Sequence, residues 1–337
     1  MDKNWIKISS IYIGTVIGAG FASGREIMNF FGVYGTKGIW GIYISGILFS
    51  IVGMLLLLKI YNNEIESFDA LIGRIFNERI SAFIDIITSI SLYTGFSIMV
   101  SGSGAIFKEQ FGLSFNLGIL IMIVCSFIVF LFSLKGLSFV NSILVPILTI
   151  GILYISIYIA SKGGIRAMDI SGKNITGKGN FITSAILYFG SNCLIIIIVF
   201  SSLFPMIKNK KTAILGGVIG GLVLYILGTA ILFSIFMYYD EVAKLDIPML
   251  RISNFIGEGY GKVYAIILWI SMFTTALANG YGFINKYKKD RNKFIIAAIL
   301  CISAIPLAKL GFSNLVSIIY PIFGVIGTIM MFLLLIK

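Results

Sequence analysis

Long hydrophobic runs, separated by short polar segments, follow one another along almost the whole chain. Most runs are about 20 residues or longer, which is the length that an α-helix needs to cross a lipid bilayer. The pattern therefore predicts an all-α, polytopic membrane protein. The ten predicted transmembrane helices are residues 6–31, 38–60, 81–107, 112–134, 139–161, 181–207, 212–238, 262–285, 293–309 and 312–336. A polar stretch between the second and third runs, residues 61–80, predicts a helix on the cytoplasmic surface.

The first hydrophobic run differs from the others because glycines interrupt it. Residues 14–26 read GTVIGAGFASGRE and contain four glycines and two hydroxyl side chains. This composition disfavours a continuous helix. A break in the helix leaves backbone N–H and C=O groups unbonded, and each such group at membrane depth costs several kcal/mol. Membrane proteins tolerate such groups where the opened backbone binds a solute or an ion. We therefore predict a break in the first helix and a ligand site beside it.

Composition supports the membrane prediction and excludes several classes of protein. The chain of 337 residues is 58% hydrophobic and only 12% charged, which is incompatible with a soluble domain. It contains no histidine, which excludes His-based catalytic triads, proton relays and metal sites, and no enzyme is predicted. Cys125, Cys193 and Cys301 lie singly in apolar runs and are interpreted as small buried side chains.

The net charge of +12 is interpreted as a topology signal, with no nucleic-acid partner, because the basic residues lie mainly in short segments between the runs. With the N-terminus in the cytoplasm, the cytoplasmic segments hold fifteen Lys and Arg residues and the opposite side holds ten. This bias predicts a multi-pass protein of the cell membrane with both termini in the cytoplasm. The segment 162–180 is then an extracellular loop, and its basic residues run against the bias.

Three similarities between the two halves of the chain indicate an internal duplication. IYIGT at 11–15 matches LYFGS at 187–191, and SLYTGFSIMVSG at 91–102 matches SMFTTALANGYG at 271–282. Glycines also match at a separation of 175 residues: Gly41, Gly46 and Gly53 with Gly216, Gly221 and Gly228. Because each half holds five spans, an odd number, the two copies must have opposite orientations in the membrane. The two predicted repeats are residues 1–161 and 181–337.

These features resemble a known family of transporters. The glycine-broken first helix with GAGFASG, the sequence YFGSN at 188–192 and the five-plus-five inverted repeat are similar to the LeuT-type fold of the amino acid-polyamine-organocation (APC) superfamily. The whole chain resembles the YkvI-type family of predicted amino-acid permeases. The resemblance implies that the first and sixth helices are both broken and meet at a central site for a solute and an ion.

The resemblance also implies a function. It predicts a secondary active transporter that imports a small amino acid or a related zwitterion by alternating access, with sodium as the coupling ion. Proton coupling, or no coupling, is the alternative within this class. A ligand-sensing receptor subunit on the same scaffold is the alternative from another class. The expected partners are a small-molecule solute and membrane lipids.

The predicted solute site combines the two breaks. The N–H groups that follow the first break suit the carboxylate of a zwitterion. The second break offers two aromatic rings and an amide beside a glycine, and a tyrosine of the third helix is expected to line the wall. Close helix packing is the alternative interpretation of these glycines. The predicted substrate-binding residues are Gly18, Ala19, Gly20, Phe21, Ala22, Ser23, Tyr93, Tyr188, Phe189, Gly190 and Asn192.

The predicted ion site begins with Ser271, Thr274 and Thr275, which share nearly one face of the eighth predicted helix. The hydroxyl of a lone threonine in a membrane helix usually bonds a backbone carbonyl of the preceding turn. Two adjacent threonine hydroxyls on one face with a serine instead indicate a group of ligands. In the resembled fold this face meets the first break around sodium, which implies ligation by both Thr hydroxyls and by the carbonyls of Gly14, Ile17 and Ser271. All five ligands are oxygens, as a hard cation requires.

Arg25 and Glu26 directly follow the glycine-rich stretch, and charged side chains inside a membrane should face water or a cavity and find a partner. We predict that these two residues form an outer gate. An ion pair at the membrane surface is the alternative. The tenth predicted helix has no acidic residue to pair with Arg25, which departs from the pattern of the resembled family.

Overall fold

The computed structural model describes residues 3–132, 137–163, 179–287 and 293–336, and every regular element in these ranges is helical. In the first half of the chain the helices are α1 (Asn4–Val16), α2 (Ala19–Ser23), α3 (Arg25–Phe30), α4 (Thr36–Asn62), α5 (Phe68–Ile75), α6 (Glu78–Phe111), α7 (Phe115–Leu131) and α8 (Leu137–Gly163). In the second half they are α9 (Phe181–Ser201), α10 (Lys210–Met237), α11 (Tyr239–Val242), α12 (Pro248–Asn254), α13 (Glu258–Tyr287), α14 (Lys293–Ala308) and α15 (Phe312–Ile336). Most of the predicted extracellular loop 162–180 lies outside the described residues.

Seven of these helices are long and apolar enough to cross a membrane, namely α4, α6, α8, α9, α10, α13 and α15. Two more, α7 and α14, are apolar but shorter, with 17 and 16 residues. Large apolar side chains are exposed along the outer helix faces, among them Ile150, Ile157 and Ile302 at 67% each. Such an apolar outer surface would be unfavourable in water and suits lipid. The chain is therefore a multi-pass membrane protein.

The first hydrophobic run forms three short helices instead of one. α1 ends at Val16 and α2 begins at Ala19, so Ile17 and Gly18 are not helical. This interruption lies where the glycine pattern predicts one. A second change of direction occurs at Gly24, which separates α2 from α3 with a left-handed φ of 78°. Only glycine adopts that conformation without strain.

The predicted break in the sixth span is wrong. α9 is one continuous helix from Phe181 to Ser201 and passes through residues 188–192 without interruption. The glycine there serves close packing, because a Cβ atom added to Gly190 would lie 2.1 Å from the carbonyl oxygen of Gly324. Small residues let the backbones of two membrane helices approach each other, which is the alternative that the sequence left open.

Two antiparallel helix pairs make extensive contacts, α4 with α10 and α6 with α13. In the first pair, Gly46 packs against Tyr225 and Gly221 packs against Ser50. Moving towards the C-terminus of α4 therefore means moving towards the N-terminus of α10. The matching glycines of the sequence lie in this contact because they allow the two helices to approach closely.

The second pair has the same arrangement. A side chain added to Gly102 of α6 would meet Met272 of α13, and one added to Gly282 of α13 would meet Leu92 of α6. The indole N–H of Trp269 also donates to the Ser103 hydroxyl at 2.7 Å. The four helices of the two pairs form a scaffold, and the interrupted α1–α3 segment packs against α10 and α13.

Candidate functional site

A cavity of about 160 Å³ lies beside the break in the first helix. Residues of α1, α2, α3, α6, α9, α13 and α15 line it, and nearly half of these residues have polar side chains. The polar lining residues are Thr15, Glu26, Ser91, Thr94, Ser191, Asn192, Thr275, Asn279 and Tyr320. The backbone of Gly18, Ala19 and Gly20 completes the wall at the break. A concave site with a few convergent polar groups is the usual form of a small-molecule site.

The break leaves carbonyl groups free at the end of α1. The N–H groups of Ile17 and Gly18 bond the carbonyls of Ile13 and Val16, at 2.8 and 2.9 Å. Within the described part of the chain, no backbone N–H is bonded to the carbonyl of Gly14 or of Ile17. An unpaired carbonyl in a membrane protein is costly unless it faces water or a ligand.

Glu26 lies in the wall of the cavity. Its side chain is only 5% exposed and hydrogen bonds to the hydroxyl of Tyr320 on α15. A Cβ atom added to Gly20 would lie 2.1 Å from the Glu26 Oε1 atom and 3.1 Å from the Tyr320 hydroxyl. The absence of a side chain at Gly20 therefore makes the space that the carboxylate occupies.

Arg25 points away from its neighbour Glu26. Its guanidinium donates hydrogen bonds to the carbonyls of Ala243 and Leu245, at 3.0 and 2.9 Å, in the segment between α11 and α12. The acidic groups that interact with it electrostatically are Asp246 and Glu109. Arg25 thus has partners on α6 and on this segment, and its partner is not on the tenth predicted span.

The segment 243–247 is held by three helices, and we call it the latch segment. Arg25 of α3 binds its carbonyls, and the Glu109 carboxylate of α6 accepts the N–H groups of Asp246 and Ile247 at 2.7 and 3.1 Å. The Asp246 carboxylate in turn accepts the N–H of Ser313 at the start of α15. Hydrogen bonds that involve a charged group are the stronger ones, so these contacts tie the helices together at one end of the bundle.

The structure brings only part of the predicted ion site to the cavity. Thr275 lines the cavity, whereas Thr274 and Ser271 are buried beside it. Both threonine hydroxyls donate to the Ser271 carbonyl, at 3.0 and 2.9 Å. Gly14 faces the Val145 side chain of α8. The Ser271 carbonyl is the weakest of the predicted ligands, because its lone pairs already accept these hydrogens.

Residues 188–192 of α9 divide between packing and the cavity. Phe189 packs edge-on against Phe49 with ring centroids 5.1 Å apart, and Gly190 contacts α15. Tyr188 is buried among Phe30, Phe31 and Phe49, and in the described residues its hydroxyl has no hydrogen-bond partner. Asn192 lines the cavity while its amide donates to the Tyr188 carbonyl at 3.0 Å.

The remaining predicted solute residues lie behind the cavity wall. Phe21, Ala22 and Ser23 are fully buried, and the Tyr264 hydroxyl of α13 donates to the Ala22 carbonyl at 2.7 Å. Tyr93 links α6 to α14, because its hydroxyl donates to the Ser303 carbonyl at 2.8 Å. These residues shape the helices that form the cavity.

Several residues that line the cavity are not among the predicted site residues. Tyr320 precedes Pro321 in the last span, and its contact with Glu26 joins residues almost 300 positions apart. Asn279 packs over Gly95, so the two meet across the α6–α13 pair. Ser91 and Thr94 stand in the matched repeat sequence, yet only the packing of α6 places them at the cavity. An unpaired polar residue in an apolar run was the available signal for Asn279.

Comparison with solved structures shows the fold, which is of the LeuT type. An inward-facing structure of Mhp1 matches with a TM-score of 0.58 and 10% identity, covering 95% of this chain and 72% of that one. A manganese transporter of Eremococcus coleocola matches with a TM-score of 0.63 and 13% identity, covering 98% and 78%. A Na+-coupled sialic acid symporter matches with a TM-score of 0.57 and 14% identity, covering 97% and 76%.

The chain belongs to the family of the uncharacterized membrane protein YkvI of Bacillus subtilis (strain 168). The two sequences are 31% identical over 326 residues, which cover 95% of this chain and 92% of YkvI. The uncharacterized protein YyaD of the same strain is 24% identical over 322 residues, covering 94% of this chain and 92% of YyaD. No protein-family profile matches the chain.

Proposed function

We propose that the protein is a secondary active transporter that imports a small amino acid or a related zwitterionic solute across the cell membrane, driven by sodium. The observation that carries the proposal is the polar cavity beside the interrupted first helix, in a chain with a LeuT-type fold. Discontinuous membrane helices present free backbone groups to a solute and its coupling ion. The three solved neighbours include two proteins named as transporters or symporters.

The packing of the α4–α10 and α6–α13 pairs supports the inverted five-plus-five repeat. The shift of 175 residues carries Gly46 of α4 onto Gly221 of α10, and it carries Ser50 onto Tyr225. Swapping each residue for its equivalent in the other half therefore turns the contact of Gly46 with Tyr225 into the contact of Gly221 with Ser50. Both contacts are present. If residue i of one helix contacts the equivalent of residue j on the other, and residue j contacts the equivalent of residue i, a two-fold axis relates the two helices. Because the paired helices are antiparallel, this axis lies across them, in the membrane plane.

The second pair obeys the same exchange. A shift of 180 residues carries Gly102 onto Gly282 and Leu92 onto Met272. The same swap turns the contact of Gly102 with Met272 into the contact of Gly282 with Leu92, and both contacts are again present. If the interrupted first helix, α7 and α14 are counted with the seven long helices, ten spans result, as the inverted repeat requires.

The free carbonyls of Gly14 and Ile17 support sodium as the coupling ion. A hard cation prefers oxygen ligands, and these carbonyls have no bonded backbone N–H in the described chain. Thr275 adds a hydroxyl oxygen at the cavity wall, and its lone pairs remain available after it donates its hydrogen to Ser271. Sodium would then lie at the end of α1, between this helix and α13.

The latch segment supports a gate at the outer end of the cavity, in an orientation with the N-terminus in the cytoplasm. Arg25 and Glu109 hold the segment over the end of the bundle that contains α3 and the start of α15. Breaking these contacts would open the cavity on that side. In this proposal Arg25 acts as the gate residue, whereas Glu26 lines the cavity.

Uptake by purified protein in proteoliposomes tests the proposed function. Radiolabelled amino acids are supplied with an inward sodium gradient, with an equal potassium gradient, or with an inward proton gradient. Accumulation that requires sodium supports the proposal, and accumulation that follows the proton gradient would instead favour coupling through Glu26. A solute that binds without any uptake would point to a sensor on the same scaffold.

A further inference from the structure

We propose that the Glu26 carboxylate is the counter-ion for the ammonium group of the solute, and that the hydroxyls of Tyr320 and Tyr188 complete this subsite. The inference rests on the proposed function for the small solute that enters the cavity, and it adds which residue recognises which part of that solute. The solute class is a compound with a primary ammonium group.

The first observation is a buried carboxylate without a cation. Glu26 is 5% exposed, and its hydrogen-bond partner in the described residues, Tyr320, is neutral. The adjacent Arg25 is bound to the latch segment and does not neutralise it. An ionised carboxylate away from water is costly unless it is paired. The ammonium group of the solute would supply the positive partner that the carboxylate lacks among the described residues.

The second observation is the unused hydroxyl of Tyr188. This hydroxyl is buried, lies within electrostatic range of Glu26, and has no hydrogen-bond partner in the part of the chain that the structure describes. A buried polar group without a partner is uncommon and calls for an explanation, and a bound ligand group would supply the missing partner. The phenolic oxygen can accept a hydrogen bond, which an ammonium group can donate.

The surroundings favour an organic ammonium group over a metal cation. Sodium requires several oxygen ligands held close around it, whereas the groups that interact with Glu26 include two phenols, and aromatic rings pack about one of them, Tyr188. An ammonium group donates three hydrogen bonds and is also attracted to the faces of aromatic rings. The proposed sodium ligands belong to the end of α1 and to α13, so the two cations would occupy separate positions.

Gly20 fixes the place of the carboxylate. The Glu26 side chain folds back over Gly20, where a Cβ atom would lie 2.1 Å from its Oε1 atom. The atom in conflict is the far end of a flexible side chain, so alanine at this position would move the carboxylate without disrupting the helix. The subsite can thus be displaced without removing its charge.

The test measures binding of methylammonium to the purified full-length protein, by the increase in its melting temperature. We expect methylammonium chloride to stabilise the wild type more than sodium chloride at the same ionic strength does. In Glu26→Gln the concentration for half of the effect should rise about tenfold or more, because a charge-assisted contact is lost. Glu258→Gln, which removes an exposed carboxylate paired with Lys262, should behave as the wild type.

A second pair of variants keeps the test decisive if Glu26→Gln does not fold. Gly20→Ala should weaken the methylammonium effect, whereas Gly73→Ala, where an added Cβ meets no atom within 4 Å, should not. No stabilisation of the wild type, an equal effect of sodium, or an unchanged effect in both cavity variants overturns the inference. Binding that depends on Glu26 in a protein that shows no uptake would overturn the proposed transport and leave the ammonium subsite standing.

Discussion

At the scale of single residues, the Thr275 hydroxyl at the proposed ion site has two separate capacities: its hydrogen can be donated, and its oxygen lone pairs can bind a cation. Thr275 donates its hydrogen to the Ser271 carbonyl at 2.9 Å, as a threonine in a membrane helix commonly does. That bond leaves the oxygen lone pairs free to face the cavity. The same contact is therefore compatible with a passive threonine and with a cation ligand, and a substitution separates the two roles.

Thr275→Val keeps the shape of the side chain and removes one oxygen. If Thr275 ligates sodium, the sodium concentration for half-maximal solute uptake should rise about tenfold or more, because an unmet partner in a buried site costs about 1–3 kcal/mol. Thr88→Val is the matched control, since the Thr88 hydroxyl bonds its own helix at the Ile84 carbonyl. An unchanged half-saturating concentration in Thr275→Val would remove this residue from the ion site.

At the scale of the helices, glycine has two opposite uses in this chain. Near Gly18 it accompanies a real interruption, and at Gly190 it allows a continuous helix to pack closely against α15. A glycine at Gly327 of α15 faces the same contact, with its Cβ position 2.0 Å from the Gly190 carbonyl oxygen. The α9–α15 contact is thus made by backbone atoms, which cannot move aside as a side chain can.

Gly190→Ala tests the packing role of α9. The added methyl group would meet the backbone oxygen of Gly324 at 2.1 Å, so we expect a loss of about 1–3 kcal/mol in stability and a lower melting temperature. Gly151→Ala on α8 is the control, because its nearest new contact would be an ordinary 3.6 Å to Tyr264. Equal melting temperatures for the two variants would contradict the close contact of α9 and α15.

The latch segment makes a prediction about gating. Glu109→Gln removes the charge that holds the N–H groups of Asp246 and Ile247, and we expect the outer end to open more often, by about tenfold. The readout is the reaction of a membrane-impermeant maleimide with Met249→Cys, a fully buried position on α12, in a background whose native cysteines are replaced by alanine.

The control for the latch is Glu241→Gln, since Glu241 makes a half-exposed ion pair with Arg251 at 3.9 Å and exposed pairs contribute little. Its labelling rate should equal that of the parent. A labelling rate in Glu109→Gln that matches the control would mean that these hydrogen bonds do not hold the outer end closed.

At the scale of the whole molecule, the exchange of contacts within the α4–α10 and α6–α13 pairs suggests how the proposed alternating access would work. Two halves related by an axis in the membrane plane can exchange their conformations, which turns an inward opening into an outward one. The four helices of these pairs would move least, because they lie on the axis. The interrupted first helix and the latch segment would then carry most of the change.

An experimental structure in a lipid environment tests this architecture. We expect residues 1–161 and 181–337 to superpose after rotation about an axis parallel to the membrane. The antiparallel contacts of Gly46 with Tyr225 and of Gly221 with Ser50 should persist in both inward-open and outward-open states. Halves related by an axis along the membrane normal, or halves that do not superpose, would contradict the inverted repeat.

The sequence by itself determined the properties that depend on local composition and periodicity. Apolar runs of spanning length determine a helical membrane protein, since lipid offers no partner for an unbonded backbone group. The dense glycines between Gly14 and Gly24 indicated an interruption, and the family followed from motifs at the start of each half. These signals are contained in neighbouring residues, which explains why they could be interpreted without a structure.

Only the tertiary structure decided which side chains meet. The continuity of α9 depends on Gly324 and Gly327, which lie more than 130 positions beyond Gly190 and make its glycine a packing residue. The separation of Arg25 from Glu26 depends on the latch segment and on Tyr320. A charge or a glycine carries the same letters whether it lines a cavity or fills a contact, and its role is set by atoms that are distant in the chain and near in space.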